Sequence, residues 1–222
     1  MALWQTTRFR LDLTRPLVMG IVNNTPDSFS DGGHHHSVTA ALRHAEKLLK
    51  DGAHILDIGG ESTRPGSPAV PLEEEMRRVL PFVQAAVQFG VPISVDTYKA
   101  QVMQAVLDAG ADIINDVWAL RQPGAQSVVA SHPQCGVVLM HMHKTPQDMQ
   151  QTPMQGDAVA QVQNFLAQQT QALVALGVER QRIVWDYGIG FGKTVAHNFT
   201  LLAHQAALTR QGFALLAGWS RK

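Results

Sequence analysis

Along the chain, short runs of apolar and β-branched residues recur with little polar interruption, at residues 17–22, 54–58, 92–95, 112–117, 136–140, 182–185 and 213–217. A strand with one wet face alternates polar and apolar positions. A near-continuous apolar run marks a strand covered on both faces, as in a parallel sheet. Between these runs the period lengthens. Residues 39–52, 71–90, 99–110 and 157–177 carry apolar side chains at three- and four-residue spacing, and each ends on a glycine. That is the pattern of amphipathic helices with glycine stops.

Alternating strands and helices imply a parallel α/β fold, either a closed (β/α)8 barrel or an open doubly wound sheet. The strand ends favour the barrel. Run after run finishes in a polar residue: Asn23, Asp57, Asp96, Asn115 with Asp116, His141, Asp186, and finally Ser220, Arg221 and Lys222. A barrel gathers all its strand C-termini around one mouth, whereas an open sheet uses only those beside its switch point. Seven strand units are legible and the sequence stops after the seventh. The expected fold is therefore a (β/α)8 TIM barrel truncated at its C-terminus, one domain over residues 1–222, with an eighth strand and helix expected past Lys222.

Composition narrows the function. Eighteen basic residues balance eighteen acidic ones, which argues against nucleic-acid binding through a basic surface. A 45% hydrophobic chain with 16% charged residues is not disordered by composition. A single cysteine, Cys135, cannot form an internal disulfide. The N-terminus lacks a signal-peptide core, and no run approaches the ~20 apolar residues of a membrane helix. The expected location is the cytoplasm, away from membranes, so the sequons at Asn23 and Asn198 are chance matches.

Several motifs invite a chemical reading. The segment 186–194, DYGIGFGKT, resembles a phosphate loop, but neither the Walker nor the dinucleotide glycine spacing is met. It reads as a glycine-rich turn where backbone passes close to a ligand. His34, His35 and His36 read as a solvated loop. His141 and His143 form a weak zinc pair without a third ligand. Asp96, Asn115 and Asp186 end three apolar strands. Each alone would be a helix cap, but together, with Arg64 and Lys222 at the same mouth, they point to a polar ligand. Carboxylate plus amide suits the edge of a heterocycle bearing N–H groups. The turn-rich loops 24–30 and 62–66 follow the first two strands, and Arg64 offers a planar cation for phosphate or carboxylate.

Read in order, MGIVNNTPDSFSDGG, GAHILDIGGESTRPGS, ISVDTYKAQV, ADIINDV, VVLMHMH, YGIGFGKTVAHN and AGWSRK resemble the motifs of the dihydropteroate synthase family. The resemblance runs from about residue 17 to the end. It implies a cytosolic (β/α)8 folate-pathway transferase, the sulfonamide target, which joins dihydropterin pyrophosphate to p-aminobenzoate with Mg2+. It implies that Asp96, Asn115, Asp186 and Lys222 hold the pterin, with Met140, Phe191 and Gly218 packing around it. Asn23 would bind the Mg2+. Thr63, Arg64 and Pro65, with Phe29, would close over p-aminobenzoate. Asp96, Arg64 and Lys222 would act on the reaction itself, and a homodimer pairing through outer helices is the family expectation.

This sequence departs from the family at Asn24, Tyr187 and Trp219, where smaller residues or proline are usual; the two rings are bulky enough to crowd the pocket, and strand alternation is expected to turn them away from the bound ring without abolishing pterin binding. The family's Arg-x-His on an eighth strand is not in this sequence. Two other readings compete: a pterin-dependent methyltransferase relative, opposed by the loops 23–33 and 62–66, and a truncated pterin binder without catalysis.

Overall fold

The computed structural model describes residues 3–24, 34–63, 67–145, 148, 149 and 151–219, with the backbone alone at 34–37. A short antiparallel hairpin opens the chain, β1 (Leu3–Gln5) with β2 (Arg10–Asp12). Seven parallel strands follow in sequence order: β3 (Met19–Asn23), β4 (Ile55–Gly59), β5 (Ile93–Asp96), β6 (Ile113–Asp116), β7 (Gly136–Met140), β8 (Ile183–Asp186) and β9 (Ala214–Leu216). Each strand neighbours only its sequence neighbours, the order that a (β/α)8 barrel requires. Every run read as a strand is one, with ends displaced by a residue or two.

Helices α1 (His34–Lys50), α2 (Leu72–Ala86), α3 (Ala100–Asp108), α4 (Ala125–Ser131), α5 (Ala158–Ala175), α6 (Val195–Ala203) and α7 (Gln205–Thr209) connect the strands. Alternation along each strand divides the core. Leu56, Ile58, Val95, Ile114, Leu139 and Trp185 join the large buried cluster with the helices, while Ile55, Ile113, Val138 and Val184 form a smaller cluster on the other face. Among the described residues, two helix starts are capped by side chains. Asp157 accepts the amides of Val159 and Ala160 before α5, and Thr194 accepts that of His197 in α6. No described helix is long and apolar enough to cross a membrane.

The reading of residues 34–36 as a loop is corrected: they begin α1. Nothing in a histidine run breaks a helix, and Gly33 ends immediately before it. The hairpin was not anticipated. It packs against the N-terminal ends of the parallel strands, where Trp4 joins the smaller cluster and donates its indole N–H to the Arg182 carbonyl at 2.9 Å. Arg8 pairs with the buried Asp112 at 2.6 Å, and Asp112 also accepts the Ile93 amide at 2.9 Å. The opposite end, where the strands finish, carries the polar residues.

Candidate active site

At the C-terminal ends of the strands, one register line runs through four neighbours: Asn23 opposes Gly59, Gly59 opposes Asp96, and Asp96 opposes Asn115. Farther round, Met140 opposes Asp186. The barrel topology thus brings Asn23, Asp96, Asn115, Met140 and Asp186 to the same end of the sheet, as expected from their strand-end positions. Gly59 matters here by lacking a side chain, because a Cβ on it would stand 3.1 Å from Asn23 Oδ1. Asn23 is exposed.

Below this line lies a layer that the strand-end inventory did not assign to the site. Asp57, inside the apolar run of β4, is buried and accepts Ser94 Oγ at 2.6 Å and Asn115 Nδ2 at 3.1 Å. That last bond orients the Asn115 amide. Burial raises the Asp57 carboxyl above the ordinary range, against the pull of Ser94 and Asn115. Asp96 is raised well above that range, first by burial and then by the charges of Asp57, Asp116, Glu75 and Glu61. Asp116 is pushed up to about 7 by burial, although it accepts the amides of Trp118 and Leu120, each at 2.7 Å. Those bonds hold a turn in which Ala119 and Leu120 have positive φ, an unfavourable backbone for residues with a side chain.

The β7–β8 side is built differently. Asp186 is buried and its Oδ1 accepts the Gly188 amide at 2.7 Å. Gly188 has φ +63°, and a Cβ there would sit 2.0 Å from the His141 carbonyl oxygen, so only glycine fits. The Lys193 ammonium, buried, donates to the carbonyls of Gly188 at 2.8 Å, His141 at 3.1 Å and Phe191 at 3.2 Å, and lies 2.9 Å from His141 Nδ1. Met140 and Phe191 pack with Val117, Met142 and Met149 in an apolar cluster against which Tyr98 and Trp118 rest.

This geometry revises the zinc pair. His141 and His143 lie beyond the end of β7, and His141 faces the Lys193 ammonium. Burial and that cation drive His141 down to about 3. Among the described residues no three His, Cys, Asp or Glu side chains gather as a metal cluster.

Tyr187 does not crowd the mouth. Its ring is buried in the helix-side cluster, away from the Met140 and Phe191 group, and Trp219, half exposed, donates its indole N–H to the Tyr187 hydroxyl at 3.4 Å. Asn24 also has a local reason to be polar: its side-chain amide donates to the Arg78 carbonyl of α2 at 2.7 Å. Gly218 stands in open space beyond β9. Thr63 borders a cleft with Glu61, Ser62, Tyr98 and Trp118, and the Trp118 indole N–H, enclosed, has no hydrogen-bond partner among the described residues. Phe29, Arg64, Pro65 and Lys222 lie outside the described residues.

Sequence reasoning placed Asp57 at a strand end but gave it no part in the site, and it missed Glu61, Glu75, Lys99 and Lys193. Two left a signal. Asp57 interrupts an apolar strand, a costly place for a carboxylate. Glu75 falls in phase with Val79, Phe82 and Ala86 on the buried stripe of α2.

Comparison with known proteins shows the family. Residues 19–222 match the family model described as pterin binding enzyme. The dihydropteroate synthase of Neisseria meningitidis serogroup C is 48% identical over 222 residues, covering 99% of this chain and 78% of that protein. The Yersinia pestis dihydropteroate synthase, solved with a sulfonamide drug complex, superposes with a TM-score of 0.92 at 45% identity, covering 99% of this chain and 80% of that one. The Burkholderia cenocepacia dihydropteroate synthase, solved with 7,8-dihydropteroate, gives 0.89 at 48% identity, covering 100% and 78%. On the family match and these likenesses, the chain belongs to the pterin-binding enzymes, among the dihydropteroate synthases.

Proposed function

We propose that Asp96, Asn115 and Asp186 bind the dihydropterin ring in the condensation of dihydropterin pyrophosphate with p-aminobenzoate, giving 7,8-dihydropteroate and pyrophosphate. The observation that carries this reading is the register line from Asn23 to Asn115, with Asp186 and an apolar Met140 and Phe191 surface at the same mouth. A pterin is a flat ring with an edge of N–H groups. Two carboxylates and an amide match that edge, and methionine with phenylalanine matches the faces.

Asp96 has a second task in this reading. When the C–O bond to the diphosphate breaks, the leaving group takes the electron pair and the pterin methylene becomes cationic. An ionised carboxylate beside the ring stabilises that charge. The aniline nitrogen of p-aminobenzoate then forms the C–N bond and afterwards loses its proton, so no strong base is required first. Arg64 would neutralise the diphosphate, Lys222 would contact the pterin, and Thr63 with Phe29 and Pro65 would enclose p-aminobenzoate. Gly218 would flank the ring.

Asn23, an exposed residue at a strand end, offers an amide oxygen that suits Mg2+, since this ion keeps several waters and takes few protein ligands beside phosphate oxygens. The ion would supply charge neutralisation on the diphosphate. A homodimer through outer helices is supported by exposed Val195 and Phe199, one turn apart on α6. The functional reading is tested by product formation from the two substrates with Mg2+. An Asp96→Asn protein as active as the unmodified one would overturn the role given to Asp96.

A further inference from the structure

The stem of the loop after β4 is tied to two other elements by one cation. Lys99, at the start of α3, reaches Glu61 Oε2 at 2.5 Å and also pairs with Glu75 of α2. Glu75 is only 1% exposed at its side chain, and its second oxygen accepts Thr97 Oγ1 at 2.6 Å. The Tyr98 hydroxyl donates to Glu61 Oε1 at 2.9 Å, and the Lys99 ammonium sits 4.4 Å from the centre of the Tyr98 ring. Both oxygens of Glu61 are thereby held, and Glu61 directly precedes Ser62 and Thr63. A hydrogen bond from Ser67 Oγ to Ser62 Oγ, at 3.1 Å, joins the two ends of the loop.

We infer that Lys99 is a positioning residue for the p-aminobenzoate half of the site, acting through Glu61 to fix Ser62 and Thr63. The inference rests on the functional reading above, in which Thr63 helps to enclose p-aminobenzoate. A lysine present only to neutralise Glu75 would need no contact with Glu61. The second carboxylate, the tyrosine hydroxyl and the serine pair all converge on the loop stem. Burial disfavours the Lys99 ammonium, but Glu61 and Glu75 outweigh it and raise its proton affinity. The cation is therefore permanent across the working pH range. The cleft bordered by Thr63, Tyr98 and Trp118 opens beside this network.

The test compares the unmodified chain with Lys99→Met, Lys99→Arg and Glu61→Gln, by steady-state kinetics in both substrates and calorimetric pterin binding. Lys99→Met should raise KM for p-aminobenzoate roughly 10- to 100-fold, the scale of a misplaced binding group. Pterin affinity should stay within about twofold at a pH where Asp96 is ionised, since the pterin residues do not touch Lys99 and the Glu61 and Glu75 charges reach Asp96 only through its ionisation. Lys99→Arg should recover most of the loss. Glu61→Gln leaves the buried Lys99–Glu75 pair intact, so it answers the question even where Lys99→Met fails to fold, and it should raise the same KM. An unchanged KM in a folded Glu61→Gln protein, or a parallel loss of pterin affinity, overturns the inference. An unmodified chain that forms no dihydropteroate from the two substrates would instead fail the functional reading itself.

Discussion

The two sides of the mouth solve the same problem with different materials. On the β4–β6 side, side chains do the work: Asp57, Asp96, Asn115 and Asp116 are joined by side-chain hydrogen bonds and by mutual repulsion. On the β7–β8 side, backbone does most of it. Glycine turns, the amide of Gly188 and carbonyls gathered by Lys193 set the surface, with Met140 and Phe191 beside them. A side built from ionisable groups is sensitive to charge and pH and tolerant of small changes in shape. One built from tightly turned backbone is sensitive to a single added methyl group. The pterin reading needs both, one for the N–H edge and one for the ring face.

The largest effect should come from breaking the backbone-built side. Gly188→Ala adds a carbon where 2.0 Å separates it from a carbonyl oxygen. The left-handed backbone costs about 1–2 kcal/mol, and the clash about 1–3 kcal/mol more. Thermal or denaturant unfolding should show a loss on that scale, and an unchanged midpoint would mean that this side is softer than described.

Charge should dominate on the other side. Asp96→Asn keeps the shape and should lower turnover about 10²–10³-fold, as for other groups that stabilise a charged transition state, with little loss of stability. The same residue predicts a pH dependence. The free carboxyl holds its proton well above the ordinary range, and a ligand offering N–H donors favours the ionised form. Pterin affinity is therefore full above the raised value and falls as pH drops through it, by up to about tenfold per unit. It levels off below the bound-state value. Calorimetry across that range should show the slope in the unmodified protein and its loss in Asp96→Asn. A flat profile in the unmodified protein would break the assignment.

Asp186 joins the two sides, being a carboxylate held by a glycine amide. Asp186→Asn turns one acceptor into a donor and should weaken pterin binding by about 1.5–3 kcal/mol, the scale of a charge-assisted hydrogen bond. Undiminished affinity would remove Asp186 from the pterin edge. The smallest stability effect is expected at Arg64, in a loop bounded by proline and glycine. Arg64→Ala should shift unfolding by under about 0.5 kcal/mol while turnover falls. A large drop in melting temperature would instead assign it to a structural ion pair.

The contrast between the sides also explains what the sequence disclosed. Apolar runs with polar ends are local, so the seven strands and Asp96, Asn115 and Asp186 could be read directly. The hairpin could not, because its strands have three residues each and one of them is Arg-Leu-Asp. The short helices α4 and α7 lacked enough turns to show a period. The network of Glu61, Glu75 and Lys99 joins residues 24 and 38 positions apart, and no spacing rule links them. Lys193 carries no signal of its own within the glycine-rich segment, whereas folding makes it the donor to three carbonyls.

The indole of Trp4 has a consequence for how the protein is made. Its partner, the Arg182 carbonyl, lies 178 residues downstream. At synthesis rates of roughly 5–20 residues per second, the ribosome needs on the order of 10–35 s to supply that partner after Trp4 emerges. Through that interval the newborn chain carries a tryptophan whose native burial is incomplete. Closing so long a loop is also entropically slow. The hairpin is thus translated well before the strands it locks onto and is among the last pieces to lock. The nascent chain's greatest exposure to misassembly falls before β8 is born, when a chaperone able to shield the hairpin's aromatic segment would have most to protect.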